Sequence, residues 1–144
     1  MGANFSMTES ESGPSRVTAY HSKDQWKAYF ETSKQCDKLV VIDFSATWCG
    51  PCQFIEPTFK ELSCKYTNVD FVKIDVDELE AVAQEFVVEA MPTFTFIKKG
   101  KVVDKVVGAR KDELHTKIEK HRTKIYNDGP ISRSRRLCSI WVRP

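Results

Sequence analysis

The chain has 144 residues, 41 % of them hydrophobic and 29 % charged, with a formal net charge of +2 at pH 7. That length fits one domain with a sizeable buried core. No stretch approaches the roughly 20 apolar residues needed to span a membrane, and nothing resembles the basic face of a nucleic-acid-binding protein.

In chain order, residues 1–16 read as a flexible extension rich in Ser, Gly and Pro, with Glu9 and Glu11 outweighing Arg16. Met1-Gly2-Ala3-Asn4-Phe5-Ser6 fits the N-myristoylation pattern, with Gly2 as acceptor. A plain disordered leader is the competing reading. One acyl chain gives only marginal membrane binding. No cysteine lies near Gly2 for a second acyl group, and the arginines of the C-terminal tail are the candidate second signal. Asn4-Phe5-Ser6 is a glycosylation sequon, but no apolar signal-peptide core accompanies it.

A domain is expected over 17–126, with elements in the order β-α-β-α-β-α-β-β-α. That order gives an α/β fold with a mixed sheet flanked by helices on both faces. Ser22-x-x-Gln25 is a capping box, followed by Trp26, Tyr29, Phe30 and Ser33 at helical spacing. Cys36, near the end of that helix, is expected to be exposed and available for dimerisation or glutathione capping. Leu39–Phe44 reads as a strand buried on both faces. A helix follows over about Cys49–Tyr66, with Phe54, Phe59, Leu62 and Tyr66 facing the core, Pro57 kinking it and Cys64 packing as a small hydrophobe. Phe71–Val76 is a strand and Leu79–Phe86 a short helix. Thr93–Ile97 and Lys101–Val107 flank a hairpin turn at Lys98-Lys99-Gly100. The last helix is expected over about Lys111–Tyr126. Residues 127–144 form a basic tail, containing Arg133, Arg135, Arg136, Arg143 and Cys138, and are expected to be disordered.

The chemistry concentrates where the first buried strand ends. Trp48-Cys49-Gly50-Pro51-Cys52 places a Cys-x-x-Cys pair between a strand and a helix, the context that makes it a candidate redox dithiol. At the first turn of a helix the amides lack internal partners and the macrodipole is positive, which favours a thiolate over a thiol. Cys49 is therefore expected to attack a substrate disulfide, and Cys52, more buried, to resolve the mixed disulfide. Pro51 presets φ at the helix start, and Trp48 offers a flat apolar surface beside the thiolate. Structural zinc would need a second close pair of ligands, which Cys36, Cys64 and Cys138 do not form in the sequence; no metal is expected. A static disulfide, or an idle pair on a scaffold of the same shape, would also fit the motif. Asp43, inside the apolar strand, is either a solvent-facing residue on an edge strand or a buried carboxyl with a raised pKa, able to exchange protons with Cys52.

Val41-Ile42-Asp43-Phe44, Ala46-Thr47-Trp48-Cys49-Gly50-Pro51-Cys52 and Pro57 together resemble the thioredoxin family. Phe71-Val72-Lys73-Ile74-Asp75-Val76-Asp77 is similar to its central strand, Met91-Pro92-Thr93-Phe94 to its cis-proline segment and Val107-Gly108-Ala109 to its final strand–helix junction. The match runs from about Val17 to Tyr126, and the Ala-Thr-Trp wording with an N-terminal extension resembles plant h-type members. The resemblance implies the thioredoxin fold and a protein-disulfide reductase with Cys49 as nucleophile, Cys52 as resolving thiol and Asp43 as proton carrier. It implies that Lys73 tunes Asp43, while Trp48, Gly50 and Pro51 shape the redox loop. Pro92, otherwise an ordinary turn proline, is then cis. Met91, Pro92, Gly108 and Ala109 contact substrate, together with Trp48.

No bound cofactor is implied: electrons come from NADPH through thioredoxin reductase and pass to disulfide-containing target proteins. The expected state is a cytoplasmic monomer, with a membrane-associated fraction or a cysteine-linked dimer as further options. Two rival functions stand beside the reductase. One is a relay recharged by glutathione and glutaredoxin, the other a membrane-tethered binding or chaperone module.

Overall fold

A computed structural model describes residues 15–123. Nine elements follow the expected order: β1 (Val17–Tyr20), α1 (Lys23–Ser33), β2 (Leu39–Ser45), α2 (Gly50–Lys65), β3 (Val69–Asp75), α3 (Glu80–Glu85), β4 (Thr93–Lys98), β5 (Lys101–Val107) and α4 (Lys111–His121). The strands form one sheet in the spatial order β1-β3-β2-β4-β5. β1, β3 and β2 are parallel; β4 runs antiparallel to both β2 and β5.

β2 is central, and all seven of its residues are buried. Its side chains alternate between two cores, as the period of a strand requires. Leu39 and Val41 join Phe71, Phe94 and Phe96 beneath Ile55, Phe59 and Leu62 of α2 and Leu114 and Ile118 of α4. Val40, Ile42 and Phe44 face the other way, toward Trp26 of α1 and Val82 and Ala83 of α3. Trp26 stacks on Phe30 and contacts Tyr20, Tyr29 and Phe86. The same alternation sends Asp43 toward the α2 side.

The local signals account for the ends. The Ser22 side chain accepts from the Gln25 amide and caps α1. Arg16, immediately before β1, reaches the C-terminal turn of α2. Its amide donates to Ser63 Oγ at 3.1 Å and its guanidinium to Ser63 O at 2.9 Å, the kind of cation that suits a helix C-terminus. The hairpin turn carries positive φ at both Lys99 (53°) and Gly100 (82°), the backbone twist that tight hairpins favour.

Several expectations fail for identifiable reasons. Phe54 is 61 % exposed, because the buried stripe of α2 runs through Ile55, Phe59 and Leu62. Phe54 lies one residue, about 100°, off that stripe, and its ring is covered by Lys111 Nζ at 4.5 Å. Among the described residues, the two cysteines outside the redox motif, Cys36 and Cys64, are reversed. Cys36 is buried, at 2 % exposure, and Cys64 is exposed, since the phase that buries Leu62 and Ser63 turns the next position outward. β3 starts two residues earlier than its apolar run, and α4 ends by His121 instead of extending toward Tyr126, which lies outside the described residues. Cys138 and the tail also lie outside them.

One cap is strained. α3 closes with the Val87 amide bonded to Gln84 O and the Val88 amide bonded to Ala83 O, both at 3.0 Å. This motif needs a left-handed residue at the position Val87 occupies, and its φ is 55°. A β-branched side chain there costs about 1–2 kcal/mol, and Val87 is 61 % exposed, so its burial offsets little. Val87→Gly should therefore raise stability by about 0.5–1 kcal/mol after the extra unfolded-state entropy of glycine. Urea unfolding checks this, and a lower midpoint would contradict the strain.

Candidate active site

The site is assembled at the C-terminal end of β2. The chain leaves Ser45, turns through Ala46–Trp48 and enters α2 with Cys49 as its N-cap. Cys49 and Cys52 form a disulfide, with Cα atoms 5.3 Å apart. One helical turn brings the sulfurs together, and the Cys52 amide donates to Cys49 Sγ at 3.1 Å. Both residues are equally enclosed at 5 % exposure, against the expectation that Cys52 is the more buried. What separates them is surroundings. Cys49 Sγ lies 3.7 Å from the carbonyl oxygen of Met91, whereas Cys52 lines a cavity of about 380 Å³ shared with Asp43.

The remaining loop residues frame this pair. Trp48 is 67 % exposed, and its indole N–H donates to Asp77 Oδ2 at 2.9 Å, which fixes the ring beside the disulfide. Pro51 occupies the first turn of α2. At Gly50 a Cβ would meet nothing within 4 Å, so the chain's own packing does not demand glycine there. The Met91–Pro92 bond is cis, and Met91 packs against Ala46, Cys49 and Cys52. The amide of Gly108, which has a φ of 101°, donates to Pro92 O at 2.8 Å. That bond ties the end of β5 to the loop facing the dithiol, and Ala109 follows, packed against the α2-side core.

Asp43 is 1 % exposed and on the central strand, which settles its two readings in favour of burial. Its Oδ1 has no hydrogen-bond partner among the described residues. Burial raises its pKa from 3.8 to about 7; the Lys73 charge opposes the rise, and Glu56 adds to it. Lys73 is the register partner of Asp43 on β3, but its ammonium donates to Glu56 Oε2 at 2.8 Å. Glu56 in turn is held below the ordinary carboxyl range: burial alone would raise it, and the hydrogen bond and charge of Lys73, with Lys60, overcome that.

Two residues of the site, Glu56 and Asp77, are not singled out by the sequence. Glu56 sits four residues after Cys52 on one helical face, a spacing that offers a signal; nothing in the sequence links Asp77 to Trp48. Gly2 lies outside the described residues. Among the described residues no group of three or more His, Cys, Asp or Glu side chains is arranged to hold a metal ion.

The thioredoxin family model matches residues 17–120. The chain is 55 % identical to thioredoxin H5 of Arabidopsis thaliana over 109 residues, covering 76 % of this chain and 92 % of that protein. It is 49 % identical to thioredoxin H2 of the same plant over 121 residues, covering 84 % and 91 %. The crystal structure of a thioredoxin h from Nicotiana alata superposes with a TM-score of 0.77 at 62 % identity, covering 80 % of this chain and all of that one. A dithiol at a helix N-cap, this sheet order and these relatives lead to one conclusion: the chain belongs to the thioredoxin family of thiol–disulfide oxidoreductases, with plant h-type proteins among its relatives.

Proposed function

We propose that this protein reduces protein disulfides through Cys49 and Cys52 and is recharged by an NADPH-dependent thioredoxin reductase. The observation that carries the reading is the Cys49–Cys52 bond at the N-cap of α2, beside the buried Asp43. In the reduced protein the Cys52 amide and the helix N-terminus favour the thiolate of Cys49. That thiolate attacks one sulfur of a target disulfide, forming a mixed disulfide and releasing the target's other sulfur as thiolate. Cys52 gives its proton to ionised Asp43 across the cavity they line, and its sulfur attacks Cys49. The target's remaining thiolate leaves, and the Cys49–Cys52 bond re-forms with two electrons passed to the target. A carboxyl with a pKa of about 7 suits this exchange, because both of its forms are populated near neutral pH.

An extended target segment would lie along Met91-Pro92, whose backbone flanks Cys49, with Trp48 on one side and Gly108-Ala109 on the other. Lys73 serves to moderate the charge at Asp43. The finer setting is cytoplasmic, with residues 17–126 as the working domain. A weak membrane-associated fraction would depend on acylation of Gly2, supported by the N-terminal sequence pattern alone.

The test is reduction of a model protein disulfide with NADPH and thioredoxin reductase as the electron source. Turnover is the expected result. Turnover with glutathione and glutaredoxin only would replace the recharging partner, and silence with both donors would overturn the reductase reading.

A further inference from the structure

Asp43 and Lys73 are direct neighbours on adjacent parallel strands, on the same side of the sheet. An ammonium one strand away from a buried carboxylate would ordinarily pair with it and hold it ionised. Here the lysine is engaged elsewhere. Its Nζ lies 2.8 Å from Glu56 Oε2, with both side chains about one-third exposed at the mouth of the cavity, while Asp43 Oδ1 is left without a hydrogen-bond partner among the described residues. Glu56 comes from α2, one turn beyond Cys52, so the helix that carries the resolving cysteine also carries the group that occupies Lys73.

We infer that Glu56 is a positioning residue for the redox cycle: by pairing with Lys73 it keeps that cation from neutralising Asp43, and so preserves Asp43 as a proton acceptor for Cys52. The inference rests on the role of Asp43 proposed for the redox cycle. The other titratable groups around the cavity do not substitute for Glu56. Tyr20 and His21 enter from the end of β1, Asp75 from the end of β3, and Glu78 from the loop after it. His21 is itself paired with Glu78 at 2.8 Å, and the Asp75 carboxylate accepts from the Asp77 amide at 2.8 Å. From β4, the register partner of Asp43 is Phe94, which does not titrate. Lys60 reaches Glu56 at 3.8 Å and contributes a second, more distant cation to that carboxylate. Of the groups around the cavity, Glu56 is the one that forms an ion pair with Lys73.

The test is a carbon-13 NMR titration of the Asp43 carboxyl in the oxidised protein, where neither cysteine of the pair titrates. The signal is assigned with Asp43→Asn, and the pH profile of disulfide reduction is measured alongside. Glu56→Gln should lower the Asp43 pKa by about one unit and move the acidic limb of the profile in the same direction. In a Lys73→Met background the same substitution should have less than half that effect, because there is no cation left to release. An unchanged or raised Asp43 pKa in Glu56→Gln overturns the inference, as does a drop more than half as large in the Lys73→Met background. If the carboxyl shifts as expected while the activity profile stays fixed, the role of Glu56 toward Asp43 stands and the reading of Asp43 as proton acceptor fails. A purely structural role for the ion pair would lower unfolding midpoints without moving the carboxyl titration.

Discussion

Replacing Asp43 with Asn is expected to stabilise the oxidised protein by up to about 4 kcal/mol at pH 8 and to leave it nearly unchanged at pH 4. The folded pKa is raised from 3.8 to about 7, first of all by burial. Between those values the unfolded chain gives up a proton that the folded protein keeps, so wild-type stability falls as pH rises through this window and levels off above it. Asparagine keeps the shape without the charge, and its stability should be flat across the same range. Urea unfolding at pH 4, 6 and 8 reads the difference directly, and a variant no more stable than wild type at pH 8 would sink the argument. The same substitution should slow disulfide reduction most near neutral pH. An ordinary thiol with a pKa near 8.5 is only about 3 % ionised at pH 7, which bounds the deficit at about 30-fold. The deficit should close above about pH 9, where the thiol ionises unaided.

The two cysteines should fail in different ways. Cys49→Ser removes the nucleophile at the N-cap, and serine cannot form the sulfur–sulfur bond through which electrons move. Turnover should drop by at least about 10³-fold, to the background of the assay. Cys52→Ser keeps the attacking sulfur, which lies 3.7 Å from Met91 O in the oxidised protein, but lacks the resolving one. It should also turn over at background, yet accumulate a covalent mixed disulfide with the model substrate. Intact-mass measurement before and after dithiothreitol distinguishes the two variants. An adduct on Cys49→Ser and none on Cys52→Ser would reverse the assignment of roles.

Much of this arrangement is legible from residues alone. A strand buried on both faces announces itself as the apolar run Leu39–Phe44, interrupted only by Asp43, and Asp43 stands out because a carboxylate is costly there. Ser22 and Lys99-Gly100 are local signals with local consequences, and the structure uses them as caps and turns. The departures share another cause. The chemistry of Phe54 points to the core, but helix phase, set by Ile55, Phe59 and Leu62 packing on the sheet, decides which residue is buried. Cys64 is exposed for the same reason. Cys36 lies between α1 and β2, in a connection with no periodicity to read. Glu56 gains its importance from Lys73, 17 residues later, and a pairing across two elements leaves no trace in a local pattern.

The central place of β2 also bears on how the molecule is made. Both strands that flank it come later in the chain, β3 after α2 and β4 after α3. During synthesis Cys49 and Cys52 therefore emerge before Lys73, Met91 and the neighbouring strands exist to enclose them. For that interval the nascent chain presents a bare dithiol, with neither the final surroundings of Asp43 nor the Met91–Pro92 loop beside it. The redox centre is thus completed from the C-terminal side, and it comes under the protein's own control only when β4 pairs with β2.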